Sequence, residues 1–435
     1  MAELVWPGKG AARARRAARI LTDEVHGAAP RGGWTNRLIR GDVLDVSGAL
    51  ADDLAGKVAL VYVDPPFETG GRFDYRATVH GLPDDAPRVA LPAYDDARGL
   101  DAWLGWFHEV AARLRDLLRP DGSLYVHLDA HTAHYAKCVL DEVFGAACFQ
   151  REVVWRIGWV SGFKSRAKNW IRNHDTLLFY TRSPRRFTFH KEYVPYPPGY
   201  VRRDGAPPTG KGYPIEDVWN ASALDRMDSI QIMSFSGEKV GYPTQKNESL
   251  VARIVRASSS PSDVVLDAFV GSGTTAVVAE KLGRRWVCAD ASPLAVHATR
   301  KRLLALPEPA PFVVESAGVD ARDSSRLTAR VKVAARTATI DLAGFALPRR
   351  AARDTAAAGV EHWSQWIDGW CVDWDNRGGP MRATSRSWRG RAARASLVLS
   401  AAHTYSRAGE YRAVVRAYDV LGGVATRELR VRVRP

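Results

Sequence analysis

The sequence predicts an α/β protein built on a mostly parallel sheet with helices on both faces, followed by a smaller all-β unit. Three stretches carry that expectation. The apolar run 58–63, VALVYV, reads as a buried parallel strand and stops abruptly at Asp64-Pro65-Pro66-Phe67. The run 264–267, VVLD, opens through Ala268-Phe269-Val270 into Gly271-Ser272-Gly273-Thr274-Thr275 and a helix. Near the end, AAHTYSRAGEYRAVVRAYDVLGGVATRELRVRV alternates apolar and polar residues around a Gly-Gly turn, the pattern of paired antiparallel strands.

At 435 residues the chain suits two or three domains. Its first twenty residues lack an apolar core of signal-peptide length, and no run is long and uncharged enough to span a bilayer. Cys138, Cys148, Cys288 and Cys371 are scattered without a C-x-x-C pair, so a reducing cytoplasm and no zinc site are expected. The net charge of +14 either marks a polyanionic partner or follows from the Ala- and Arg-rich composition of the whole chain.

In chain order, residues 1–34 read as a basic arm with an Arg/Ala tract at 11–19 that suits a solvated helix. A short strand (37–39), a turn at Gly41-Asp42, a helix and the strand ending at Asp64 form a βαβ unit. The polar, Pro-containing stretch from 76 to about 96 reads as a mobile loop over the site. A helix over 100–118 ends before Pro120-Asp121-Gly122, a strand follows over 123–128, and a helix over 132–144 stops at Gly145. His127, His131 and His134 straddle a strand end and a helix start, a poor spacing for a metal.

From 151 two strand-like runs, 152–155 and 175–180, flank a loop in which Trp159, Phe163 and Trp170 alternate with Arg156, Lys164, Arg166, Lys168 and Arg172. Cations beside aromatics suit a nucleic-acid contact, or equally a hairpin with packed rings and solvated charges. Residues 183–241 are rich in Pro, Gly and Tyr, with a helix expected near 214–219, and are the place for a substrate-reading insert. An amphipathic helix over 248–257 leads to the 264–267 strand, and the next strand, 285–289, ends in Asp290, placed to hold ribose hydroxyls. The glycine turn and Asp290 together fit a nicotinamide dinucleotide as well as S-adenosylmethionine. A P-loop is excluded, since no Gly-Lys-Ser/Thr follows.

Asp64-Pro65-Pro66-Phe67 breaks that tie. A carboxylate, a free carbonyl and an aromatic face in a stiff turn grip a planar amine such as a nucleobase. VYVDPPFETGGRFDY resembles the catalytic motif of the beta-class (permuted) amino-group DNA methyltransferases, particularly the modification subunits of type III restriction systems. DVVLDAFVGSGTTAVVAEKLGRRWVCAD resembles their cofactor-binding motif with its acidic partner, and GYPTQKNESLVARIVRASSSPSD the motif that directly precedes it. The catalytic motif comes first in this chain, the order that defines the class, and the likeness spans about 34–302. Asn247 and Ala268 stand where the family usually has proline, and Phe67 replaces the commoner tyrosine.

The resemblance implies a Rossmann-like methyltransferase fold, circularly permuted, with a seven-stranded sheet divided into a catalytic half (35–182), a target-recognition insert (183–241) and a cofactor half (242–306). It implies S-adenosylmethionine as cofactor and double-stranded DNA as substrate, with a nuclease or helicase restriction subunit and a homodimer as candidate assemblies. Asp64, Pro65, Pro66 and Phe67 would be catalytic. Phe269, Gly271, Gly273 and Thr274 would surround the cofactor, with Asp290 on the ribose and Pro243, Thr244 and Lys246 along the other side. Asp267 would face the methionine amine and Asp42 the adenine ring. None of the four cysteines follows a proline, the usual setting for ring-carbon methylation, so an exocyclic amine is the expected target. Asp before Pro-Pro leans toward adenine over cytosine by resemblance; a non-catalytic recognition subunit on the same fold is the competing reading. After a linker at 306–309, residues 310–435 resemble an immunoglobulin-like or polycystic-kidney-disease-type sandwich, for which domain docking or partner binding is expected.

Overall fold

The computed structural model describes residues 3–10, 18–28, 33–77, 79–82, 89–156, 166, 168–220, 238–318, 325–349, 351, 359–390 and 396–434. Among them lies an 11-stranded mixed sheet. Its strands, in chain order, are β1 (Ile20–His26), β2 (Asn36–Arg40) and β3 (Val58–Val63), with helix α1 (Val43–Leu54) crossing between the last two. A separate antiparallel hairpin follows, β4 (Arg72–Ala77) and β5 (Val89–Asp95). Helix α2 (Leu100–Leu117), β6 (Leu118–Leu128) and α3 (Ala133–Phe144) lead to β7 (Phe149–Arg156) and β8 (His174–Thr181). Among its described residues the segment after β8 contributes β9 (Tyr193–Val194), β10 (Tyr213–Pro214) and β11 (Val218–Trp219). The second half runs α4 (Glu248–Ser258), β12 (Val264–Asp267), α5 (Thr274–Lys281), β13 (Arg285–Asp290), α6 (Pro293–Leu304) and β14 (Phe312–Ala317).

Six adjacent strands, β6-β3-β12-β13-β2-β14, run parallel, and antiparallel β8 and β1 extend the sheet on either side. The parallel strands need helical crossovers, and the period of two along β3 separates their cores. Val61 and Val63 join the α1, α2 and α3 residues Val46, Leu50, Phe107 and Val139 on one face. Leu60 and Tyr62 join Leu250, Ile254, Val277 and Val296 from α4, α5 and α6 on the other. Asn247 has a physical role where a proline was expected: its side chain accepts from the Leu250 amide and caps α4.

The C-terminal unit has β15 (Arg326–Ala334), β16 (Thr337–Ala346), β17 (Ile367–Asp373), β18 (Met381–Arg382), β19 (Ser385–Trp388), β20 (Ser400–Thr404), β21 (Gly409–Asp419) and β22 (Val424–Val433). The sheets β15-β16-β20 and β19-β17-β21-β22 share one core containing Ile340, Trp370, Val415 and Val431.

Several expectations are corrected. The sheet has 11 strands rather than seven. Part of the N-terminal arm is a strand: β1 pairs with β14, and Trp6 is buried; residues 11–17 of the Arg/Ala tract lie outside the described residues. The expected loop over 76–96 contains the end of β4 and the whole of β5, which pair antiparallel, while residues 78 and 83–88 lie outside the described residues. The expected helix at 214–219 is replaced by short strands, because Val218 and Trp219 pair with Val154 and Trp155 of β7 and Trp219 is buried there. Finally, β14 follows the 306–309 linker yet belongs to the large sheet, between β2 and β1.

Candidate active site

The buried β3 ladder delivers Asp64 to the carboxyl edge of the sheet, where open α/β folds hold their ligands. The turn beyond it is fixed from three sides. Trp103 Nε1 of α2 donates to the Pro66 carbonyl at 2.8 Å. The buried Asp96 accepts from the Glu68 and Thr69 amides and from the Thr69 hydroxyl. Phe67 lies nearly parallel to the His127 ring, 6.2 Å between centroids. His127 is itself buried, bonded to the Tyr62 hydroxyl at 3.0 Å and to Asp175 at 3.3 Å. Burial would raise the Asp175 carboxyl, but His127, Lys246 and Arg172 together bring it down to about 2.

A cleft of about 660 Å³ opens along this edge. Asp64, Pro65, Pro66 and Phe67 line it together with Asp42, Pro243, Thr244, Lys246, Asp267, Phe269, Gly271, Thr274 and Asp290. Gly273 stands behind the wall in a left-handed conformation, φ 86°, where a Cβ would lie 2.9 Å from the Thr299 Cα. The glycine turn is held by carboxylates: Asp290 accepts from the Gly271 and Ser292 amides, and Asp267 from the Phe269 amide and the Thr275 hydroxyl. Burial pushes Asp267 up to about 7 and Asp290 up to about 6, although these same hydrogen bonds pull the other way. Thr274 donates to the Lys246 carbonyl at 2.9 Å and so ties the turn to the 242–247 segment.

Asp42 and Lys246, both expected at the cofactor, also have partners within the chain. Asp42 sits at the cleft as the N-cap of α1, accepting from the Leu44 amide at 2.9 Å. Lys246 reaches across the cleft, where its ammonium meets Asp64 Oδ2 at 2.6 Å and lies 5.3 Å from the Phe67 ring centre. Asp64 Oδ1 has no hydrogen-bond partner among the described residues. One oxygen of the carboxylate is thus anchored and the other, although buried, keeps unused acceptor capacity.

The basic and aromatic loop between β7 and β8 lies at the same sheet edge, since Arg156 pairs with His174 and Leu128 with Thr176. Arg156, Arg166 and Lys168 are exposed there, and Trp170 is 98% exposed. Arg172 differs from the rest, being ion-paired to Asp175 and close to Asp129. Lys164, Trp159 and Phe163 lie outside the described residues.

Sequence reasoning missed Asp96, Trp103 and the Tyr62–His127–Asp175 cluster. Only His127 carried a usable signal, its place at the end of the strand beside β3.

Residues 58–301 match the N6/N4 family model described as DNA methylase. The chain belongs to the DNA methylase family. Among proteins of known activity it is 29% identical over 307 residues to the type II methyltransferase M.EcaI of Enterobacter cloacae, covering 57% of this chain and 64% of that one. It is 30% identical over 190 residues to M1.MboII of Moraxella bovis, covering 41% of this chain and 70% of that one. The chain thus spans less than two thirds of the M.EcaI methylase. Among solved structures, the PvuII DNA methyltransferase, cytosine-N4-specific, aligns with a TM-score of 0.43 at 17% identity, over 66% of this chain and 91% of that one. The M1.HpyAVI–SAM complex aligns with a TM-score of 0.40 at 19% identity, over 62% and 99%.

Proposed function

We propose that this protein transfers a methyl group from S-adenosylmethionine to the exocyclic amine of an adenine flipped out of double-stranded DNA. The observation that carries the reading is that Asp64, whose buried Oδ1 has no hydrogen-bond partner among the described residues, lines the same cleft as the Gly271 turn and Asp290. The order of the motifs, with Asp64 ahead of the glycine turn, supports the permuted beta class. Membership of the DNA methylase family agrees with the cofactor and the DNA substrate.

The cleft fits the cofactor: it is large enough for a nucleoside bearing an amino-acid arm, and an acidic side chain waits beside a glycine turn. Asp290, Phe269 and the Gly271 turn would hold the nucleoside, with Pro243 and Thr244 opposite. Bound there, S-adenosylmethionine supplies an electrophilic methyl group.

A base amine is a poor nucleophile because its lone pair is delocalised into the ring. In this site Asp64 Oδ1 and the Pro65 carbonyl accept its two N–H bonds and favour a pyramidal nitrogen with its lone pair directed at the methyl group. The carboxylate then stabilises the positive charge that develops on nitrogen and takes up the departing proton. Phe67, packed over His127, offers the flipped base a stacking face that offsets part of the few kcal/mol lost on unstacking. No covalent intermediate is needed.

Direct single-molecule sequencing of DNA from cells expressing the wild-type chain or Asp64→Ala tests this. Methyl-adenine at a defined motif in the first sample only is the expected result. Modified cytosine would reassign the base. Unmodified DNA from a protein that binds both S-adenosylmethionine and DNA would favour a recognition subunit.

A further inference from the structure

The C-terminal β unit, which lies beyond the methylase family match ending at residue 301, lines the candidate site at one place and braces the elements around it at a second. The first is the β21–β22 turn, Val420-Leu421-Gly422-Gly423. Leu421 lines the same cleft as Asp290 and Asp64. The turn is held rigidly: Asp419 Oδ1 accepts from the Leu421 amide at 3.0 Å and the Gly423 amide at 2.7 Å, and the Ser325 hydroxyl donates to Oδ2. It also sits hard against the start of α6. Gly422 has φ 82°, and a Cβ there would come within 3.0 Å of the Leu294 backbone.

The second place is Asp368, buried on β17. Its Oδ1 takes the His80 ring nitrogen at 2.9 Å and the Lys301 ammonium at 2.6 Å, while Oδ2 takes the His297 ring at 2.9 Å. His80 follows the β4 strand, whereas His297 and Lys301 belong to α6. One carboxylate therefore joins three parts of the chain. The Gln365 side chain adds a bond to the His80 carbonyl at 3.0 Å, and Val420 packs among Ala77, Val79 and Val89 of the hairpin segment. That hairpin contributes Phe73 and Leu91 to the cleft.

We propose that the C-terminal β unit is a component of the cofactor site, supplying Leu421 to its wall and using Asp368 to fix the β4–β5 hairpin and α6 around it. This rests on the S-adenosylmethionine reading above. Leu421 is a binding residue, and Asp368 and His80 are positioning residues. The unit is accordingly more than a detachable partner-binding module.

The test uses the full chain. S-adenosylmethionine is titrated calorimetrically into wild type, Leu421→Ala and Leu421→Met, and binding to a DNA duplex is measured alongside. Leu421→Ala should weaken the cofactor roughly fivefold or more through lost apolar contact, with Leu421→Met close to wild type and duplex binding unchanged. In parallel, hydrogen exchange is followed in His80→Ala, which leaves Asp368 its two α6 partners and so preserves the fold. Amides of 72–77 and 89–95 should exchange on the order of tenfold faster, those of β3 and β12 at the wild-type rate. Wild-type cofactor affinity in Leu421→Ala, or unchanged hairpin exchange in His80→Ala, overturns the proposal. A wild-type protein that binds no S-adenosylmethionine refutes the cofactor reading itself, and the exchange data alone then decide whether the Asp368 clamp exists.

Discussion

Lys246 and Asp64 are 182 residues apart in sequence and 2.6 Å apart in the cleft. The pair holds one carboxylate oxygen, while the other, Oδ1, is buried without a hydrogen-bond partner among the described residues. Lys246→Gln removes the charge while keeping a donor. It should lower kcat/KM for methyl transfer by roughly 10- to 100-fold through misplacement of Asp64, with little effect on folding. Wild-type turnover in a radiolabelled methyl-transfer assay would sink this role.

Phe67 offers a ring without a hydroxyl. Phe67→Tyr should retain activity within about threefold, while Phe67→Ala loses the stacking face, worth roughly 1–3 kcal/mol for a base on an aromatic, and so about 10- to 100-fold in kcat/KM. Comparable losses in both variants would mean that the ring's shape, rather than its face, is what the site needs.

Asp267 should set a pH dependence of stability. An unfolded Asp titrates at about 3.9, and burial pushes this one up to about 7 when folded. The folded state therefore holds the proton more tightly, so its contribution to stability is largest below about pH 4 and is lost as the pH rises to about 7. Asp267→Asn abolishes that loss and should gain about 2–4 kcal/mol at pH 8 and much less at pH 4.5. Scanning calorimetry at both values checks it; an advantage independent of pH would contradict the assignment.

Asp290 bears on ligand binding in the opposite direction. With its carboxyl raised to about 6, it would accept ribose hydroxyls fully only above that pH. Cofactor affinity should fall as the pH drops through 6, and Asp290→Asn should be weaker at pH 8 and flat across the range. Isothermal titration at pH 5.5 and 8 reads both.

The β7–β8 loop predicts a salt effect. Arg166→Ala combined with Lys168→Ala should reduce the slope of log affinity for duplex DNA against log salt by about 1–2, while Trp170→Ala weakens binding with the slope unchanged. A wild-type slope in the double variant would place the phosphate track elsewhere.

Much of the framework of the candidate cleft was legible because its signals are local. VALVYV must be buried on both faces, two prolines must end its ladder, and Gly273 occupies a conformation that other residues resist. What escaped depends on partners distant in sequence. The β4–β5 segment reads as a loop because Pro87 and Pro92 interrupt it, and its apolar residues find cover on Val420, more than 300 positions later. Residues 20–26 alternate too weakly to announce a strand until 312–317 pairs with them. Lys246 carries no local mark of the carboxylate it meets, and neither does Asp96.

The place of β1 between two strands made much later has a consequence for synthesis. Its neighbours are β14, through Ile20 with Ala317, and β18, through Glu24 with Met381. This strand leaves the ribosome ahead of both, at a rate of roughly 5–20 residues per second for the chain that follows. Several hundred residues must emerge before it has anything to pair with. The nascent chain therefore carries β1 without its sheet partners until residues 312–317 have been made.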